Sequence, residues 1–137
     1  MRRVFADSVY WIAVTSPGDQ WSENARTAYM SLGHSCVWTT EEVLTEFLAA
    51  LSAKGPRVRL LAVSVVERVF RRKEFIVLPQ THRSFLRGLS LYKLRPDKRY
   101  SLVDCISMEA MKTHGLREVL TNDRHFMQEG FVALMRG

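Results

Sequence analysis

Short apolar runs of strand length alternate along the chain with longer segments whose apolar positions recur every three or four residues. Residues 4–6 predict a first strand, and 8–14 a short helix or turn ended by Ser16, Pro17 and Gly18. Asp19 is placed to cap a helix running to about Leu32, which Gly33 stops. A second strand is expected over 35–38. Thr40 suits an N-cap, with Glu41 and Glu42 in the first turn of a helix over 41–53. Val43, Leu44, Phe47, Leu48 and Leu51 share one face of that helix, and Glu46 falls toward its polar side. Lys54, Gly55 and Pro56 break the chain before a Leu- and Val-rich helix over 57–72. A third strand over 75–78 ends at Pro79, and helix follows over 81–94. Arg95, Pro96 and Asp97 form a loop. Ser101 then caps an apolar helix that carries Asp104 and stops at Gly115. Strands over 118–121 and 131–133 complete the series. This alternation predicts an α/β fold, a mostly parallel sheet of four or five strands with helices on both faces.

Four acids stand in contexts that suggest a metal site. Asp7 and Asp123 each follow an apolar run, as residues just beyond the carboxyl ends of buried strands do. That edge is where α/β folds place ligands. Glu46 lies on a helix. Asp104 lies among Leu102, Val103, Cys105 and Ile106, where an unpaired carboxylate is costly. Carboxylates gathered at one place repel unless protons or a cation intervene, and hard oxygen ligands favour Mg²⁺ or Mn²⁺. Three of the acids also have a plain structural use: Asp7 as an N-cap, Asp123 as a turn residue, Glu46 as an exposed helical acid. Asp97 is either an auxiliary acid or a loop residue paired with Lys98 or Arg99.

The chain has 137 residues, enough for one domain over 1–137 with its own hydrophobic core. At 47% hydrophobic and 25% charged it has no signature of disorder. The net charge of +6 fits a polyanionic substrate held by Arg and Lys. Cys36 and Cys105 each lie in apolar segments without CxxC or zinc-type spacing, so buried free thiols in a reducing cytoplasm are expected. No apolar stretch is long enough to span a bilayer, and Asp7 interrupts the first apolar run too early for a signal peptide. His34, His82, His114 and His125 show no HxxxH or HxH spacing, so zinc is not expected. His125 neighbours Asp123 and could approach substrate. A general-base role for it is not expected where a metal activates the water.

Four motifs carry a family resemblance: Val4-Phe5-Ala6-Asp7-Ser8, Thr39-Thr40-Glu41-Glu42-Val43-Leu44-Thr45-Glu46-Phe47, Ser101-Leu102-Val103-Asp104-Cys105-Ile106-Ser107, and Leu120-Thr121-Asn122-Asp123-Arg124-His125-Phe126. In this order and spacing the chain resembles a PIN domain, and within that family the VapC-type toxins. The third motif is close to that family's S-L-x-D-x-x-S pattern, the fourth to its T-x-D-x-x-F pattern. Trp21-Ser22 departs from the family where many members carry a His.

The resemblance implies a divalent-metal-dependent endoribonuclease, the toxin of a VapBC-type toxin–antitoxin pair, using Mg²⁺ or alternatively Mn²⁺. Asp7, Glu46, Asp104 and Asp123 are the implied catalytic acids. Asp7 and Asp104 are expected to bind metal directly, and Asp123 directly or through water. Glu46 positions a water at the metal or completes a second metal site. Ser8 and Thr121 are expected either to orient carboxylates or water, or to serve as turn and capping residues. Asn122 is a turn residue or a substrate contact. An RNA substrate, a cognate antitoxin and a homodimer are the implied partners, with no membrane. The alternatives are a housekeeping RNA-processing PIN nuclease and a catalytically silent PIN domain that binds RNA or protein.

Basic residues fall in two regions. One holds Lys54, Arg57, Arg59, Arg68, Arg71, Arg72 and Lys73, and suits an antitoxin or dimer interface. The other leads into the Asp104 helix with Tyr92 and Tyr100 interleaved, so Arg95, Lys98 and Arg99 are expected to contact RNA phosphates. Tyr10, Trp11 and Ile12 are expected in the core or a dimer interface. No phosphate-binding glycine loop and no G-x-S-x-G occurs, so nucleotide binding and serine hydrolysis lack their usual signals.

Overall fold

In the computed structural model, which describes residues 1–136, the chain runs through β1 (Arg2–Ala6), α1 (Ser8–Thr15), α2 (Ser22–Met30), β2 (Ser35–Thr40), α3 (Glu41–Leu51), α4 (Pro56–Arg71) and β3 (Phe75–Leu78). It continues with α5 (His82–Leu94), α6 (Leu102–Thr113), β4 (Glu118–Leu120), α7 (Arg124–Gln128) and β5 (Val132–Ala133). The strands pair in parallel in the order β3-β2-β1-β4-β5. Parallel neighbours need crossovers, and these cover both faces of the sheet. β1 shows the result: Val4, Phe5 and Ala6 are all fully buried.

The pleat sorts the helices. On one face the Trp11 ring of α1 meets Phe75 edge-on at 5.9 Å, and its indole N–H donates to Thr39 Oγ1 at 3.4 Å. The next residue of β2, Trp38, points the other way and stacks at 4.9 Å on His114, which caps α6. Helices α1 to α4 pack together, and α5 pairs with α6. The order reverses between β1 and β4. This is the topological switch point, where α/β sheets open a crevice beyond the strands' carboxyl ends.

Several local expectations hold. Thr40 caps α3 by accepting from Val43 N at 3.0 Å. Pro56 opens α4, where a missing N–H costs nothing. Others need correction. Asp19 does not cap a helix over 19–32: its Oδ1 accepts from Trp21 N at 2.8 Å, forming a turn, and α2 begins only at Ser22. Leu48 is 36% exposed, so the buried face of α3 is narrower than its pattern suggests. Helix α7, five residues long, was not expected. Cys105 is buried, but Cys36 is only half-buried; both are free thiols.

The α5–α6 pair depends on Gly88. A Cβ there would fall onto the Ile106 side chain and lie 3.1 and 3.2 Å from Ile106 N and Cα. Gly88→Ala gains about 1 kcal/mol of helix propensity. It should lose more by forcing the helices apart, for a net destabilisation of about 1–2 kcal/mol in chemical denaturation. An unchanged or raised midpoint would contradict close packing at this crossing.

Candidate active site

The carboxyl ends of β1 and β4 present Asp7 and Thr121. Asp7 N donates to Leu120 O at 3.3 Å, which carries the pairing one residue past the strands. Beyond it, Thr121 Oγ1 donates to Asp7 Oδ2 at 2.9 Å and accepts from Asp123 N at 3.1 Å. One buried hydroxyl thus links two of the expected acids. Asp123 caps α7, its Oδ1 accepting from His125 N at 2.9 Å. Ser8 Oγ donates to Glu46 Oε1 at 2.6 Å, so the first turn of α1 fixes the acid of α3. Both hydroxyls orient carboxylates, one of the two uses expected for them. Asn122 is half-buried, and its carbonyl accepts from the Arg136 guanidinium at 3.4 Å.

Asp104 arrives from the opposite side, at the first turn of α6. Its amide donates to Ser101 Oγ and its Oδ2 accepts from Ser101 N, both at 3.0 Å, a reciprocal capping box. Asp104 therefore has a structural use after all, legible in the S-x-x-D spacing. The same Oδ2 lies 3.3 Å from His125 Nδ1, which is also 3.4 Å from Asp123 Oδ1. His125, given little weight from sequence, is thus brought against two of the acids. The signal that could have found it is its place two residues after Asp123, within one helical turn.

The acids act on one another electrostatically. Asp7 is 3% exposed, and burial pushes its carboxyl up to about 7. The Asp104 carboxylate adds to that rise and Glu46 adds less, against the Thr121 hydroxyl and the Ser8 backbone N–H. Asp104 is raised as well, mainly by burial and then by Asp123; the Ser101 N–H and His125 oppose the rise. Carboxylates that raise one another are the donor set that a hard divalent cation relieves. Asp104, Asp123 and His125 each offer a ligand atom within 4.8 Å of the others. The residues present therefore fit a divalent metal.

The expected RNA contacts divide. Tyr92, Arg95, Pro96, Lys98, Arg99 and Tyr100 line one cavity of about 230 Å³. Arg95, however, is committed within the fold: its Nε and terminal N donate to Glu129 Oε1 and Oε2 at 3.0 and 2.9 Å. Tyr100 is buried, donates to Glu129 Oε1 at 3.0 Å and packs its ring 5.4 Å from His125. It supports His125 and is not a stacking platform. Lys98, Arg99 and Tyr92 are exposed. Asp97 is exposed.

Residues 4–130 match the PIN domain family. The chain belongs to the PIN domain family. Among solved structures it is similar to the VapC20 toxin of Mycobacterium tuberculosis, a sarcin-ricin loop cleaving toxin, at 23% identity and TM-score 0.83, covering 94% of this chain and 96% of that one. It is also similar to FitAcB from Neisseria gonorrhoeae, at 17% identity and TM-score 0.64, over 95% and 94% of the two chains. FitAB bound to a DNA fragment shares the fold at 16% identity and TM-score 0.66, over 95% and 92%. No curated protein sequence matches. Among the described residues, no helix of this PIN domain is long and apolar enough to cross a membrane.

Ser8→Ala tests the hydroxyl's role. If the acids form a nuclease centre, freeing Glu46 from its 2.6 Å bond should lower cleavage about 10-fold with little change in melting temperature. A large drop in melting temperature with unchanged cleavage would mark Ser8 as a helix-start residue only.

Proposed function

We propose that this PIN domain is a divalent-metal-dependent endoribonuclease, the toxin of a VapBC-type toxin–antitoxin pair. The convergence of Asp7, Glu46, Asp104 and Asp123 on the β1/β4 switch point carries the reading. The names of the structural neighbours support it, since one is a toxin that cleaves the sarcin-ricin loop.

A bound divalent cation, Mg²⁺ or Mn²⁺, offsets the charge of the acids and of the scissile phosphate and lowers the pKa of an adjacent water. Asp7, Asp104 and Asp123 would hold the cation. Glu46, fixed through Oε1 by Ser8, would have its other oxygen available to orient a water beside it. Thr121 keeps Asp7 and Asp123 in register. Lys98 and Arg99 take neighbouring phosphates, and Tyr92 offers the exposed ring on which a base stacks. Arg95 holds the loop that presents them. A cytoplasmic setting goes with this substrate. The exposed Leu60, Leu61, Val63 and Phe70 of α4, in the first basic region, support contact with an antitoxin or a second copy.

The test is to incubate the purified protein with total RNA and map the product ends. Attack by water leaves 5′-phosphate and 3′-hydroxyl ends. A 2′,3′-cyclic phosphate would contradict this mechanism, and intact RNA under every cation would favour a binding module.

A further inference from the structure

His125 turns its ring toward the acids. Nδ1 stands 3.3 Å from Asp104 Oδ2 and 3.4 Å from Asp123 Oδ1. The first of these is a long hydrogen bond, where a charge-assisted one closes to about 2.7–2.9 Å. Donors at about 2.0–2.1 Å from one cation stand about 2.9 Å apart in octahedral geometry and about 3.3 Å apart in tetrahedral geometry. Both separations therefore lie within reach of atoms that share an ion. The ring is not free to drift. It packs on Tyr100, whose hydroxyl is held by Glu129, and Asp104 and Asp123 are each fixed by a backbone N–H. The imidazole is 26% exposed, which leaves the cluster open to solvent on one side.

We infer that His125 Nδ1 is a direct ligand of the divalent cation beside Asp104 and Asp123, and that this nitrogen makes the site prefer a first-row transition cation over Mg²⁺. The inference rests on the metal-dependent reading above and adds the identity of a donor to it. Mg²⁺ takes oxygen ligands and keeps its waters, whereas Mn²⁺ and its neighbours in the row accept imidazole. A site with Asp7, Asp104 and Asp123 alone has no such bias toward nitrogen-binding ions.

The probe is Mn²⁺ bound to the full chain carrying ¹⁵N-labelled histidine, read by pulsed electron paramagnetic resonance. The expected result is nitrogen coupling to the bound Mn²⁺ that is lost in His125→Ala and in His125→Gln. In a competition titration, the Mg²⁺ needed to displace half of the Mn²⁺ should fall at least 10-fold in either variant. The coupling is measured on the unsubstituted protein, so a variant that fails to fold does not remove the test. Mn²⁺ that binds in an Asp104-dependent manner without nitrogen coupling would overturn the inference and leave the nuclease reading standing. Absence of Mn²⁺ binding, or binding indifferent to Asp104→Asn, would overturn both.

Discussion

Asp7→Asn should abolish RNA cleavage and, in metal-free buffer above neutral pH, make the protein more stable. The two effects share one cause. In the fold the Asp7 carboxyl holds its proton up to about pH 7, chiefly because it is buried and then because Asp104 stands beside it. In the unfolded chain it loses that proton near its ordinary value of 3.8. Between these values the folded state binds a proton that the unfolded state does not, so stability falls as pH rises. Above pH 7 the folded protein bears the full cost of a buried carboxylate. Asparagine removes that charge and can still accept from the Thr121 hydroxyl. A gain of about 2 kcal/mol at pH 7.5 is expected, shrinking to nothing near pH 4. Cleavage should fall by about 100-fold or more, because the cation loses a charged ligand. Adding Mn²⁺ should raise the melting temperature of the unsubstituted protein and leave that of Asp7→Asn almost unmoved. An Asn variant less stable than its parent at every pH would show that the carboxylate is not strained in the fold.

Glu129→Gln should destabilise the protein by breaking a network that joins three elements. Glu129 caps the end of α7, with a side chain 6% exposed. It accepts from Arg95 at 2.9 and 3.0 Å, from Tyr100 at 3.0 Å and from Lys112 at 3.2 Å. The Arg95 guanidinium foremost, then Lys112 and Tyr100, hold its carboxyl down at about 2. One anion thus ties the loop before α6, the last turn of α6 and the end of α7. Those are the elements that carry Asp104, Asp123 and His125. Without the charge, Arg95 lies part-buried and poorly paired. A loss of about 2–3 kcal/mol is expected, with cleavage reduced about 10-fold as α7 loosens. The sign of the pH dependence is opposite to that of Asp7. Glu129 contributes fully above its ordinary value near 4.5, and the contribution is lost as pH falls toward 2. The unsubstituted protein should therefore lose stability across that acid window more steeply than the Gln variant. Equal midpoints at neutral pH would show that the network contributes no net stability.

Much of the fold was legible because apolar period and punctuation agreed. The run Val4-Phe5-Ala6 has no polar alternation, as a strand buried on both sides requires, and Thr40 and Ser101 cap as their positions suggest. Three of the acids stood out in the sequence, since Asp7 and Asp123 follow strands and Asp104 interrupts an apolar stretch, whereas Glu46 lay toward the polar side of its helix. What escaped was long-range. Nothing local says that Glu129 will reach Arg95, 34 residues away, and so occupy a candidate phosphate ligand. His125 has no zinc-type spacing because Asp104, one of the two acids beside it, comes from another helix. Asp19 misled for a local reason: the residue type that caps helices also makes turns, and here the turn wins.

The central claim is that the acids at the β1/β4 crevice work as one metal-dependent nuclease centre. Its most direct test is cleavage of a total-RNA pool by purified, antitoxin-free protein, with Mg²⁺ or Mn²⁺ and with chelator, beside folded Asp104→Asn. Discrete products that disappear both on chelation and in Asp104→Asn are the expected result. Products that persist with chelator, or that Asp104→Asn makes as fast as its parent, would contradict the claim.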